Sequence, residues 1–282
     1  MSTPTTTPSP ATQAVVTAGA APAPRWAITA RRATISELIK MRSLRSNVWL
    51  LVTSIAFLLL LGPIQTVGQL VTPAGQRVDN TAGATSLALA GLSTTTLLLG
   101  VLGVLLVTGE YAPRAIRTTF MLIPRRGHVV LGKLLSLSLV TVVTGVPAAA
   151  IAVTASFVVV SRIGVDVGWG SPQVLRVVLG SIFVMVGWGI LGQLAGWVTR
   201  SKLGGAALLF GVMLVLTPVL GLVPGTVGEV LIAVTPASAA GAMVNTHHLG
   251  VLDSPTVGFA LWTAYLIGGS MLATTIVRRR DA

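Results

Sequence analysis

Runs of about 20 apolar residues recur along this chain, each long enough as a helix to cross a ~30 Å hydrocarbon layer. Six runs reach that length: Val48–Val71, Thr85–Thr108, Leu134–Val160, Val177–Val198, Leu203–Val223 and Pro255–Val277. No Asp, Glu, His, Lys or Arg lies inside any of them. In lipid the backbone must satisfy its own hydrogen bonds, so consecutive runs of this kind predict an all-α polytopic membrane protein of six transmembrane helices. Composition agrees, because 53% hydrophobic and only 9% charged residues leave too little polar surface to cover a water-soluble globule. A seventh apolar piece, Val227–Val234, is bracketed by Pro224 and Pro236. It is too short to cross and is expected to form an external or re-entrant half-helix.

The domain plan that follows is simple. Residues 1–33 are expected to be a disordered cytoplasmic tail, because the first 24 are Thr, Pro and Ala-rich and uncharged. Residues 34–280 form one transmembrane domain. Ala14–Ala23 has no basic region before it, so it is not expected to act as a signal peptide.

Lys and Arg fix the expected orientation. Sixteen of the 19 lie in one alternating set of segments: Arg25, Arg31, Arg32, Lys40, Arg42 and Arg45; Arg114, Arg117, Arg125, Arg126 and Lys133; Arg200 and Lys202; Arg278, Arg279 and Arg280. The other set holds only Arg77, Arg162 and Arg176. Cytoplasmic loops carry the basic excess, so both termini are expected in the cytoplasm and the membrane is expected to be the plasma membrane. The net charge of +12 therefore faces anionic headgroups, and no nucleic-acid partner is expected.

Before the first span, Thr34-x-x-Glu37 has the form of a capping box, with Ile35, Leu38, Ile39 and Met41 along one side. Glu37, Lys40, Arg42 and Arg45 thus belong to an expected interfacial helix; the alternative is a plain extension of the first span. Between spans two and three lies Gly109–Lys133, with Pro113 able to start a short helix and Pro124 able to stop it. Ile116, Phe120 and Met121 would anchor such a helix on the bundle. Arg114, Arg117, Arg125 and Arg126 would be left for carboxylates or phosphates of a partner or lipid. An ordinary positive-inside loop is the competing description.

At these two places the chain resembles the permease subunits of type-two ABC exporters, in the form common among actinobacteria. The likeness rests on Ser36, Glu37, Lys40, Arg45 and Ser46 before the first span. It rests also on Gly109, Glu110, Tyr111, Ile116, Arg117, Thr119, Pro124, Arg126 and Lys133 in the loop. Ala112 and Arg114 stand where such permeases often carry Arg or Ser and Gly. Spans four to six are similar in hydropathy alone. The resemblance implies a coupling helix between spans two and three that docks on a separate ATP-binding subunit, with Glu110, Tyr111 and Arg117 near the contact. It also implies a second permease copy or paralogue, with ATP and magnesium held by the partner subunit and no cofactor on this chain.

Other signals point the same way or to nothing. Proton-coupled carriers and intramembrane enzymes keep charged groups at membrane depth, and apolar spans argue against both; a sodium site of carbonyls and hydroxyls stays open. No enzymatic activity is expected of this chain. Gly127-x-x-x-x-Gly132-Lys133 mimics a phosphate loop, but Leu134 replaces its hydroxyl residue. The absence of cysteine excludes thiolate metal sites, and His247-His248 is expected to be an exposed pair. Gly192-x-x-x-Gly196, with Gly187, Gly189, Gly100 and Gly103, marks close helix contact, either within the chain or between two copies. Gln65, Gln69 and Gln193 are the polar candidates for a substrate path, but all lie near span ends, where a wet terminus explains them equally well. A non-transporting membrane anchor that holds a cytoplasmic partner is the second functional expectation.

Overall fold

The computed structural model describes residues 25–73, 78–111, 126–245 and 254–280. Among them no strand occurs, and six helical stretches are long and apolar enough to cross a membrane. The protein is an all-α, multi-pass membrane protein.

Helix α1 (Arg25–Ser43) turns at Leu44 into α2 (Arg45–Val71), the first spanning helix. The second span is broken into α3 (Thr81–Ala88) and α4 (Leu92–Thr108), and a 3-10 turn, Gly109–Tyr111, closes it. Asn80 caps α3 by accepting from the Gly83 amide at 2.8 Å. The break falls at Leu89–Gly91, where a Cβ on Gly91 would overlap the Phe57 carbonyl of α2. Helix α5 (Arg126–Ser161) runs through Pro147 for 36 residues, about 54 Å at 1.5 Å per residue. It is followed by α6 (Pro172–Thr199), capped by Ser171 and ended by Arg200, which takes the left-handed conformation at φ 53°.

The fifth span, Lys202–Leu220, is made of α7 (Lys202–Phe210), a π-helical turn at Gly211–Val215 and α8 (Leu216–Leu220). The widened turn sits just ahead of Pro218, whose missing N–H already interrupts the regular ladder. Helices α9 (Gly225–Ala233) and α10 (Pro236–Val244) meet at a 70° bend. Nine residues each, about 14 Å, neither crosses alone, in keeping with the half-helix expected at Val227–Val234. Thr235 caps α10, and the Tyr265 hydroxyl of α11 (Pro255–Arg280) donates to the Val234 carbonyl at the bend.

The centre of the bundle is a crossing of α4 and α6 in which glycine lets backbones touch. A Cβ on Gly192 would overlap the Gly100 carbonyl, and one on Gly103 would overlap that of Gly189. The glycine pattern is therefore used for packing within the chain. Trp262 of α11 lies over Gly187, 2.5 Å from where its Cβ would stand, and its ring meets Trp188 at 5.4 Å between centroids.

Three sequence expectations change. Thr34 lies inside α1, which begins at Arg25, so Thr34 and Glu37 are not a capping box and helix occupies part of the stretch assigned to the tail. The buried stripe of α1 is Ala33, Glu37 and Met41, while Ile35 and Ile39 are exposed. Helices α5 and α6 begin before the apolar runs do, so Lys133 and Arg176 lie inside spanning helices rather than beside them. Residues 1–24 and His247-His248 lie outside the described residues.

Candidate functional site

Gly132 is the starting point. A Cβ there would stand 3.0 Å from the Ala33 Cβ, so its absence lets α1 lie close along α5. One turn beyond Ala33 on the same stripe is Glu37, and the next residue of α5 is Lys133. The Lys133 ammonium donates to Glu37 Oε2 at 2.7 Å and to the Leu106 carbonyl at 3.0 Å, and it pairs with Glu110 Oε1 at 2.9 Å. Its three N–H donors thus have three acceptors. Leu106 belongs to the last turn of α4, where unpaired carbonyls and the helix dipole favour a cation.

Lys40 closes the ring. Its ammonium donates to Glu37 Oε1 at 2.7 Å and to Glu110 Oε1 at 3.0 Å. Two carboxylates and two ammoniums alternate, so the cluster is neutral. Its members differ in access to solvent: the side chains of Lys133, Glu37, Glu110 and Lys40 are 2, 7, 16 and 44% exposed. Removing one partner from a buried pair strands the other charge, at a cost of about 3–5 kcal/mol, whereas exposed pairs contribute about 0–1 kcal/mol.

Burial by itself raises the pKa of the Glu37 carboxyl. The charge and hydrogen bond of Lys133, joined by Lys40, outweigh that and hold it below the ordinary carboxylate range. For Lys40, burial acts downward, and the Glu37 and Glu110 carboxylates reverse it to leave the ammonium above its usual value.

The cluster is tied further into the bundle. Gln193 Nε2 donates to the Lys133 carbonyl at 2.9 Å, so this fully buried side chain links α6 to α5. Beside Glu110, the Tyr111 ring meets Trp197 edge-on at 6.1 Å, with the Arg200 guanidinium carbon 5.3 Å from the Tyr111 centroid. The left-handed turn at Arg200 ends α6 at this level, with the Arg200 amide bonded to the Gly196 carbonyl at 2.9 Å.

Of the expected site residues, the structure joins Glu37, Lys40, Glu110 and Lys133 in one cluster and places Tyr111 beside it. Lys133 points inward, with its three donors occupied by Glu37, Glu110 and the Leu106 carbonyl. Arg42 and Arg45 are exposed and take no part in the cluster. Arg126 opens α5, and Arg114, Ile116, Arg117 and Arg125 lie outside the described residues. The sequence assigned Glu37 and Lys40 to one element and Glu110 and Lys133 to another; that they neutralise each other went unread. Gln193, Trp197 and Arg200 were missed as parts of the site. Among the described residues no group of three or more His, Asp or Glu side chains is placed to hold a metal ion.

No protein-family model matches the chain, and no curated protein matches it either. The class defined by fold and site is that of an all-α multi-pass membrane protein with a partly buried cluster of four charged side chains at its arginine-rich end.

Proposed function

We propose that this chain is the membrane-spanning permease subunit of an ATP-driven exporter, energised by a separate ATP-binding subunit docked on the loop between spans two and three. The observation that carries the reading is the grip on both ends of that loop. Glu110 stands at its start and Lys133 about two turns into α5 beyond its end; Lys133 is paired with Glu37 of α1, and Glu110 with Lys40 of α1 and with Lys133. A push on the intervening arginines would move α1, α4 and α5 together instead of bending a loose loop. The sequence resemblance in α1 and around Glu110 supports the same assignment.

In this reading α9 and α10 form a re-entrant turn, so that six crossings leave both termini on one side, and the excess of Lys and Arg there supports the cytoplasmic face of the plasma membrane. ATP and magnesium then belong to the partner, and a second permease copy or paralogue completes the transporter. The test is co-purification with a co-expressed ABC-type ATP-binding subunit from the same organism, and ATP hydrolysis of the pair in liposomes. Stimulation by the wild-type chain and its loss in Arg117→Ala, with the melting temperature unchanged, are expected. Co-purification without any stimulation would point to a membrane anchor, and unaltered stimulation by Arg117→Ala would remove the docking role.

A further inference from the structure

We infer that the outward face of α1 binds an anionic phospholipid, its phosphate held by Arg32 and Lys40 and its acyl chain laid along Ile35 and Ile39. These residues and Ser36 line an open groove of about 330 Å³. Their spacing puts them on one strip of the helix, next to the buried stripe of Ala33, Glu37 and Met41.

Three observations select the occupant. The first is unbalanced charge. Glu37 and Glu110 are neutralised within the cluster by Lys40 and Lys133, so exposed Arg31, Arg32, Arg42 and Arg45 stand as excess positive charge on α1 and the start of α2. The second is donor supply. Lys40 spends two of its three N–H donors on Glu37 and Glu110, leaving one, and Arg32 is an exposed guanidinium fork suited to a phosphate. The third is the apolar floor. Ile35 and Ile39 are large, exposed and one turn apart, which serves an acyl chain and does nothing for a soluble anion. The groove also lies beside the membrane, since α2 follows at once and exposes Trp49 near its start, as residues at headgroup level do. The inference stands apart from the transport reading, because it needs only the membrane and this helix.

The test uses the full chain in detergent, with native mass spectrometry of bound phosphatidylglycerol, phosphatidylcholine and glycerol phosphate. Phosphatidylglycerol should be retained over phosphatidylcholine. Arg32→Gln should bind it about fivefold more weakly, the change expected for one basic residue near an anionic surface. Arg32→Lys should keep most of the binding, Ile39→Gln should lose part of it, and Arg162→Gln, in the turn after α5, should match the wild type. Both altered α1 positions are exposed, and unchanged melting temperatures would show that the variants fold. Equal binding by Arg32→Gln and wild type would overturn the site. Displacement of the lipid by glycerol phosphate at similar concentration, or full binding by Ile39→Gln, would show a soluble-anion site only and would overturn the lipid assignment.

Discussion

Helix α4 is held at its middle and at its end by opposite means. At the middle, Gly100 and Gly103 bring its backbone against Gly192 and Gly189 of α6, with no side chain between them. At the end, Leu106 and Glu110 meet Lys133, and four charged side chains do the fastening. Packed backbones have no titratable part and one geometry. A charge cluster can be broken by pH, by a partner's charge or by removal of a single residue. The protein thus has a fixed centre, and its electrostatically held part lies where the loop of spans two and three is rooted.

The widest separation of the two regions should come from Lys133→Met. It leaves Glu37 and Glu110 buried with only the half-exposed Lys40 to answer them, and should cost about 3–5 kcal/mol in reversible unfolding in mixed micelles. A change under about 1 kcal/mol would mean that the cluster is solvated and the distinction false. Gly192→Ala comes next. Its Cβ would strike the Gly100 carbonyl, and overpacking of this kind costs about 1–3 kcal/mol. Gly68→Ala in α2, where nothing lies within 4 Å, should be neutral or stabilising, because alanine is the better helix former. Equal losses at the two glycines would undo the argument from close approach.

Acid should act on one region alone. The folded pKa of Glu37 lies below its unfolded value, so its contribution is complete above the ordinary carboxylate pKa and fades as pH falls through the lower, folded one. The melting temperature of the wild type should therefore drop below about pH 4, and Glu37→Gln should flatten that drop. Lys40 acts in the opposite sense: its raised pKa gives stability that is present below the ordinary lysine value and is lost as pH climbs past the raised one. An identical acid profile for Glu37→Gln and wild type would place the relevant titration elsewhere.

Much of the architecture was legible from hydropathy alone, because lipid permits few alternatives to a helix of about 20 residues. Each of the six runs falls within a spanning stretch, apart from the last residues of the fifth, where helix gives way after Leu220. The ends were less legible for a physical reason. Hydropathy marks where lipid begins, whereas a helix continues until its backbone is capped, so α5 starts at Arg126 and takes Lys133 inside. Glu37 was misassigned because the spacing of a capping box is also the spacing of neighbours on one helix face. The start of α1 at Arg25 and the contact of Glu37 with Lys133 tell the two apart. The glycine pattern announces close packing without naming the partner, and Gln193, six residues before the end of α6, reads as a wet terminus although it is fully buried.

The ion cluster exists only if α1 lies against α5 at the root of the loop. The natural sequence has no cysteine, so Ala33→Cys/Gly132→Cys gives a clean measurement of that contact by oxidation in native membranes. A Cβ on Gly132 would stand 3.0 Å from that of Ala33, so a parting of the helices by about 0.5 Å brings the pair into the disulfide range; intramolecular cross-linking is expected, with Ile39→Cys/Gly132→Cys remaining reduced. Failure of the first pair to cross-link, or equal reaction of the two, would contradict it.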